Sequence, residues 1–391
     1  MLRTMAVSDR RAQRIGALVA VAALGLALTA CSTPATTTGD GSSTEAIPAA
    51  VTTNLDAYTG ESEVIEPGAA FDVSGVAGKN VWWVTQYSGN PFLATVGANF
   101  TKALDSVGVS VTTCDGKGNP VDANNCIRQA IAQGAAAIQV DGPEPATYAS
   151  ALTEANAAGI PVLAGASVDA STPLLDGLAG QTSQPFKLTG QLAADWIIKD
   201  SGGTANILFL TTPDVIGSVS EQEAFADEIK ANCANCTITV KGVTLANWAN
   251  DLGPTTSAEL VKDPTINYVV PAFDPMTQFT NPAIQQSGRG GSTKVVTVNG
   301  NLGFMQDLAS GTSLTVAMVG IDLNALGYVE ADQLLRAMTG TPVVDVSYAP
   351  VRIFDTTSVG SLDLSETAAN DGSWYAGTDK QSAKFAELWQ K

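Results

Sequence analysis

This sequence predicts an α/β protein built on doubly wound parallel sheets, and three observations carry that prediction. From Lys79 onward, short β-branched runs alternate with longer Ala-rich amphipathic stretches almost without exception. The short runs are apolar at successive positions, as expected of parallel strands covered by helices on both faces. The chain has 391 residues, 45% apolar and only 15% charged, which is enough for one large or two medium cores. The repeats outnumber what one modest sheet holds, so two sheets side by side are the natural division.

The predicted strands are 81–85, 109–113, 136–140, 161–164, 205–210, 237–243, 268–271, 294–298 and 313–318. Helices are expected over 92–107, 123–133, 145–158, 185–199, 222–231, 256–262, 275–287 and 302–309. In open parallel sheets ligands sit beyond the carboxyl ends of the strands, so residues just after each strand are the candidates for a site. Trp82 and Trp83 are adjacent in a strand, point to opposite faces and are both expected in the core.

Composition excludes several function classes. There are 20 Lys and Arg against 38 Asp and Glu, a net charge of −18, which argues against nucleic acid or anionic lipid headgroups as a main partner. The chain has no His, which removes Ser-His and Cys-His nucleophile pairs, His-ligated zinc and the commonest general base. No nucleophile and base pair can be read from the chain; no enzyme activity, cofactor or metal is expected.

The amino terminus reads as an export signal. Arg3, Arg10, Arg11 and Arg14 precede an uncharged run from Ile15 to Ala30 that is short for a membrane span and ends in small residues. Leu28-Thr29-Ala30-Cys31 resembles the bacterial lipobox, whose Cys receives lipid and becomes the mature terminus after cleavage. Residues 1–30 are then the signal peptide, and the mature chain keeps 16 basic and 37 acidic residues, a formal charge of −21. Residues 31–75, rich in Ser, Thr, Gly, Pro and Ala at their start, read as a tether whose later part packs on the folded domain.

Four further cysteines, Cys114, Cys126, Cys233 and Cys236, are an even set in an exported chain. The simplest arrangement is two disulfides, Cys114 with Cys126 and Cys233 with Cys236. A redox dithiol at Cys233-Ala-Asn-Cys236 is the alternative, although the pair precedes a β-rich run rather than opening a helix, where a thiolate would be stabilised.

Several ordered motifs resemble periplasmic sugar-binding proteins of the ribose-binding type, the solute-capturing lipoproteins of ATP-driven importers. They are Tyr87-Ser-Gly-Asn-Pro-Phe92, Asp115-Gly-Lys-Gly-Asn-Pro120, Ala135-Ala-Ala-Ile-Gln-Val-Asp-Gly142, Ala155-Asn-Ala-Ala-Gly-Ile-Pro-Val162, Ala272-Phe-Asp-Pro-Met276, Val296-Thr-Val-Asn-Gly300 and Gly327-Tyr-Val-Glu-Ala-Asp332. The resemblance implies two lobes joined by three crossovers, closing on a ligand between them. Carried onto this chain, lobe one is 79–179 plus 301–318 and lobe two is 180–300 plus 319–391.

The resemblance also implies a pocket. Asn90 would hold sugar hydroxyls and Phe92 would face the ring, an apolar ring face on an aromatic being the physical requirement for sugar capture. Asn90-Pro91 capping the next helix with Phe92 in the core is the alternative. Where the family carries an Asp and Arg, this chain reads Ala164-Gly-Ala-Ser167, and Gln222 stands in for another Arg. Asn299 replaces an Asp, Met318 stands where an amide is expected, and Trp248 and Phe273 supply further aromatic faces. Tyr87 lies beyond its strand's end, and Asp141 and Asp274 are candidates for either ligand binding or helix capping. The implied site is neutral and aromatic, and an ionised ligand would need an opposite charge there. The expectation is therefore a monomeric, lipid-anchored receptor on the cell membrane, delivering a small neutral solute, a sugar or sugar-like compound, to an importer's permease. A sensory lipoprotein, or a receptor for an aromatic or nucleoside-like solute, is the alternative.

Overall fold

The computed structural model describes residues 46–65, 68–344, 349–376 and 380–390. The signal sequence, Cys31 and the first part of the tether lie outside the described residues. A helix α1 (Ala49–Tyr58) falls within the segment read as tether, with Val51 and Leu55 fully buried. The chain then enters lobe one through β1 (Phe71–Asp72), β2 (Asn80–Thr85), α2 (Pro91–Asp105), β3 (Ser110–Asp115) and α3 (Pro120–Ala132). Next come β4 (Ile138–Asp141), α4 (Ala149–Ala157), β5 (Val162–Asp169) and β6 (Gly180–Gln184). Strands β2 to β6 form an entirely parallel sheet in the order β3-β2-β4-β5-β6.

Lobe two follows with α5 (Phe186–Ser201), β7 (Asn206–Thr211), α6 (Ile216–Asn232), β8 (Thr237–Gly242) and α7 (Trp248–Lys262). It continues through β9 (Tyr268–Pro271), α8 (Thr277–Gln286), β10 (Lys294–Asn299), α9 (Leu302–Ala309) and β11 (Thr315–Ile321). α10 (Leu323–Thr339) returns to lobe one, packing on α2 and β6, and β12 (Val351–Asp355) joins the second sheet. After α11 (Glu366–Asp371) and α12 (Ser373–Ala376), α13 (Gln381–Leu388) packs on α10 and β13 (Trp389–Gln390) pairs with β1. The second sheet runs β12-β11-β10-β9-β7-β8, parallel except for β12 against β11. The crossovers after β6, after β11 and between α10 and β12 join the two parallel sheets, the α/β architecture the strand and helix alternation predicts.

Local chemistry explains the element starts. Asn90 and Asn119 each accept a backbone N–H with the side chain, from Phe92 at 3.0 Å and Asp122 at 2.9 Å, and each is followed by Pro at the first helical position. Trp82 and Trp83 are both buried, in separate core clusters on opposite faces of β2.

Three features of the expected division are corrected. Gly180–Gln184 completes the first sheet rather than opening lobe two; its buried Thr182, Ser183 and Gln184 gave no apolar signal. Residues 301–318, expected in lobe one, belong to the second lobe: β11 pairs with β10, and Met305 and Leu308 of α9 pack with Phe354. Conversely α10, placed by sequence in lobe two, covers lobe one.

Both cysteine pairs are disulfide-bonded, with Cα separations of 5.7 Å for Cys114–Cys126 and 5.3 Å for Cys233–Cys236. The first ties the end of β3 to α3 and closes a loop with a sequence separation of 12. Replacing both Cys114 and Cys126 by Ala should lower unfolding stability by about 3 kcal/mol, the entropy of closing a loop of that length. Chemical denaturation measures this, and an unchanged midpoint would contradict it. Among the described residues, no helix is long and apolar enough to cross a membrane, and no group of three or more acidic or Cys side chains is arranged to hold a metal ion.

Candidate functional site

The carboxyl ends of the strands of the two sheets face each other across a narrow cleft. Lobe one contributes Gln86, Asn90, Phe92, Leu93, Gly142 and Ala166, and lobe two contributes Phe186, Val215, Leu245, Trp248, Phe273 and Asn299. None of these side chains is charged. The space they enclose is about 40 Å³, and a wider groove of about 480 Å³ lies outside it, sharing Asn90, Leu245 and Trp248. The inner space is far below the roughly 300–1,000 Å³ of a pocket that encloses a small-molecule ligand. A solute of sugar size therefore reaches it only by displacement of the lobes or of Trp248.

Four aromatic side chains converge there. Trp248 is held by its indole N–H, which donates to Thr212 Oγ1 at 3.1 Å, and its ring lies 6.3 Å from that of Phe273 at 45°. Phe92 comes from the first turn of α2 and Phe186 from the first residue of α5. Phe186 occupies the room left by Gly217 in α6; a Cβ there would stand 2.3 Å from the Phe186 ring. The two-lobe convergence of rings offers apolar faces on both sides of a ligand, while Gln86, Asn90 and Asn299 supply amides at the rim.

Asn299, at the end of β10, has φ of +114°, a region a non-glycine residue enters only when its surroundings dictate it. Buried Asp274 supplies the constraint. It accepts the backbone N–H of Asn301 at 2.9 Å, the Asn301 side-chain amide at 2.8 Å and the Asn299 amide at 3.4 Å. Burial pushes the Asp274 carboxyl up to about 7, against the lowering effect of those hydrogen bonds. Between the ordinary carboxylate range near 4 and about 7, the folded chain keeps this proton while the unfolded chain releases it. The unfolded state then binds fewer protons, and stability falls as pH rises through that window. Asp322, also pushed up to about 7 by burial, acts in the same direction. Asp274→Asn should flatten the decline by up to about 1.4 kcal/mol per pH unit, read from denaturation midpoints between about pH 5 and 7. A pH profile parallel to that of the wild type would contradict the assignment.

The residues expected in the site distribute as follows. Phe92, Trp248, Phe273, Asn299 and Asn90 line the cleft, and Asn90 also caps α2. Tyr87, 46% exposed, lines only the outer groove. Ser167 is buried beside the cleft residue Ala166, its hydroxyl without a partner in the chain. Asp274 stands behind Asn299 rather than in the cleft.

Three expected residues lie elsewhere. Met318 is fully buried in a cluster with Met305, Phe354 and Trp374, because strand alternation turns it away from the face shared by Ala317 and Val319. Asp141 is buried within lobe one, where it accepts the Trp83 indole N–H at 2.5 Å and the Gln139 amide at 2.7 Å. Gln222 is half-buried on α6 and outside the cleft lining; its neighbour Glu221 is fully buried, with both carboxyl oxygens unpartnered in the chain. Burial pushes the Glu221 carboxyl well above the usual range. The cleft residues Phe186, Val215, Leu245, Gln86 and Leu93 were not among those expected. Their positions just after strand ends or at helix starts are the signal that locates them.

Residues 81–381 match the family described as periplasmic binding protein domain. No curated protein matches the sequence. Among solved structures, a 5-methylthioribose transporter solute-binding protein from Thermotoga lettingae, in complex with 5-methylthioribose, is similar at a TM-score of 0.68 and 18% identity, over 79% of this chain and 96% of that one. An ABC transporter solute-binding protein from Agrobacterium vitis with bound allitol gives 0.65 and 20%, over 73% and 97%. One from Mycobacterium smegmatis with bound glycerol gives 0.65 and 18%, over 75% and 97%.

Proposed function

The chain belongs to the periplasmic binding protein domain family, and from that premise we propose that it is the extracytoplasmic solute receptor of an ABC importer. Its ligand is a small uncharged solute of the sugar or polyol class, enclosed between the lobes and handed to a membrane permease. The observation that carries this reading is the cleft itself: aromatic faces from both lobes, amides at the rim and no charged side chain in the lining. An ion taken into such a cleft would lose its hydration without gaining a counter-charge. The solutes named with the similar structures, 5-methylthioribose, allitol and glycerol, are uncharged hydroxylated molecules. The reaction at this site is binding and release; no bond is made or broken.

Anchoring completes the reading. Cys31 carries the lipid and residues 32–45 lead to α1, which keeps the receptor at the membrane beside its permease. The Cys31→Ala protein should lose its membrane fraction and acyl-chain labelling while keeping ligand binding, and an unchanged membrane fraction would overturn the anchor. A thermal-shift screen over uncharged sugars, polyols, nucleosides and charged solutes tests the ligand class: the reading expects stabilisation by members of the first two groups.

A further inference from the structure

Resting on the receptor reading, we infer that the solute is a sugar bearing an apolar aromatic substituent, an aryl glycoside in class, with its hydroxylated ring in the cleft and its substituent in the outer groove. The inner space, about 40 Å³, has no room for such a group, whereas the groove beside it holds about 480 Å³, within the roughly 300–1,000 Å³ of small-molecule sites. The two spaces adjoin at Asn90, Leu245 and Trp248, which line both. A ligand seated between the lobes therefore meets the groove directly past Trp248.

The wall of the groove is apolar and aromatic on both lobes. Lobe one brings Tyr87 and Pro91, and lobe two brings Leu245, Trp248, Pro275 and Phe279. Tyr87 is 46% exposed, a large ring left toward solvent beside the cleft, yet its loop is held in place. Asp115 accepts the Ser88 backbone N–H at 3.1 Å and the Ser88 hydroxyl at 2.6 Å. Gly89 leaves the space that the Tyr87 side chain takes, since a Cβ there would stand 2.6 Å from the Tyr87 hydroxyl. Phe279, half-buried on α8, packs against the main apolar core while still lining the groove. Rings held in place before a ligand arrives lose little freedom on binding, which favours an aromatic partner here.

The groove's polar groups are too few for a second sugar unit. Asn90 and Gln278 are its only amides, and the Asn90 side-chain oxygen is committed to the Phe92 N–H at 3.0 Å. Lys117 is its only charged side chain; it is mostly exposed and stands 3.9 Å from Asp122. Hydroxyls turned toward this wall would give up water without a partner, while an aromatic ring gains from leaving water there.

The test titrates the whole mature chain with the methyl and phenyl pyranosides, in both anomers, of glucose, galactose, mannose and xylose, alongside the free sugars and the disaccharides cellobiose and lactose. At least one phenyl glycoside should bind roughly tenfold or more tighter than its methyl counterpart. Tyr87→Ala, on an exposed loop and expected to fold as the wild type does, should remove most of that gain and leave affinity for the methyl glycoside unchanged. Phe279→Ala should do the same. Methyl glycosides or free sugars bound with no gain from the phenyl group would overturn the inference and leave the receptor reading standing. A gain untouched by both substitutions would overturn it by placing the substituent elsewhere, and a disaccharide bound as tightly as the phenyl glycoside would overturn it in favour of a second sugar unit. No binding by any member of this panel would overturn it as well; the receptor reading fails only if the wider screen of sugars and polyols is also silent.

Discussion

Trp248→Ala should weaken solute binding by about 2 kcal/mol or more, roughly thirtyfold, and Phe92→Ala by a similar amount. The two rings approach the cleft from opposite lobes, Phe92 from the start of α2 and Trp248 from the start of α7. Each is about 8% exposed, so truncation removes a desolvated contact rather than a rim contact, which is the setting in which single aromatic residues dominate an interface. Trp248 carries a second effect. Its N–H fixes Thr212 Oγ1, and its ring separates the inner space from the outer groove, so its loss also opens the cleft to water. Asn299→Ala should cost only about 1 kcal/mol, the scale of one neutral hydrogen bond. Calorimetric titration of the variants measures all three values. Full affinity in both aromatic variants would place the ligand elsewhere.

The second large effect is structural. Gly327→Val should destabilise the protein by about 3 kcal/mol or more. Gly327 lies on α10 where that helix crosses α2, and a Cβ there would stand 2.6 Å from the Val96 carbonyl oxygen and 2.7 Å from the Phe100 amide nitrogen. These obstacles are backbone atoms of a helix, so no rotamer change relieves the clash and the two helices must separate. α10 follows directly on the β11 crossover, and α2 carries Phe92 at its start. Prying them apart should therefore lower solute affinity together with stability. Denaturant unfolding reads the first effect and titration the second; wild-type values in both would contradict the packing described.

Much of the fold was legible because strands such as Val81–Thr85 and Lys294–Val298 are short runs dominated by β-branched and aromatic residues, and Asn-Pro pairs mark two helix starts. The elements that escaped share a physical cause. β6 is built from Gly, Gln, Thr and Ser, which are buried through its pairing with β5 rather than by side-chain hydrophobicity. α10 buries Leu323 through Arg336 without interruption, including Glu330, Asp332 and Arg336, so it shows no polar face for a periodic pattern to reveal. Its Arg336–Asp332 pair, at 2.7 Å, is interior.

The site was legible where an aromatic or amide follows a strand end, as at Phe92, Phe273 and Asn299. It was lost where the direction of one side chain decides. Asp141 shares strand parity with Gln139 and Trp83 and is drawn into their hydrogen bonds, and Met318 points into the opposite layer from its neighbours. On α6, a single step around the helix separates half-buried Gln222 from Glu221, which is fully buried. Motif order does not specify such phases; packing does.

The central claim is that this cleft holds an uncharged hydroxylated solute by stacking and amide hydrogen bonds, without an ion pair. The most direct measurement is calorimetric titration, at low and high salt, of the solute that most raises the thermal midpoint of the wild-type protein. The account predicts an uncharged sugar or polyol whose affinity is nearly the same at both salt concentrations and falls roughly thirtyfold or more in Trp248→Ala. A charged ligand whose affinity drops steeply with salt, or a sugar bound equally well by Trp248→Ala, would contradict it.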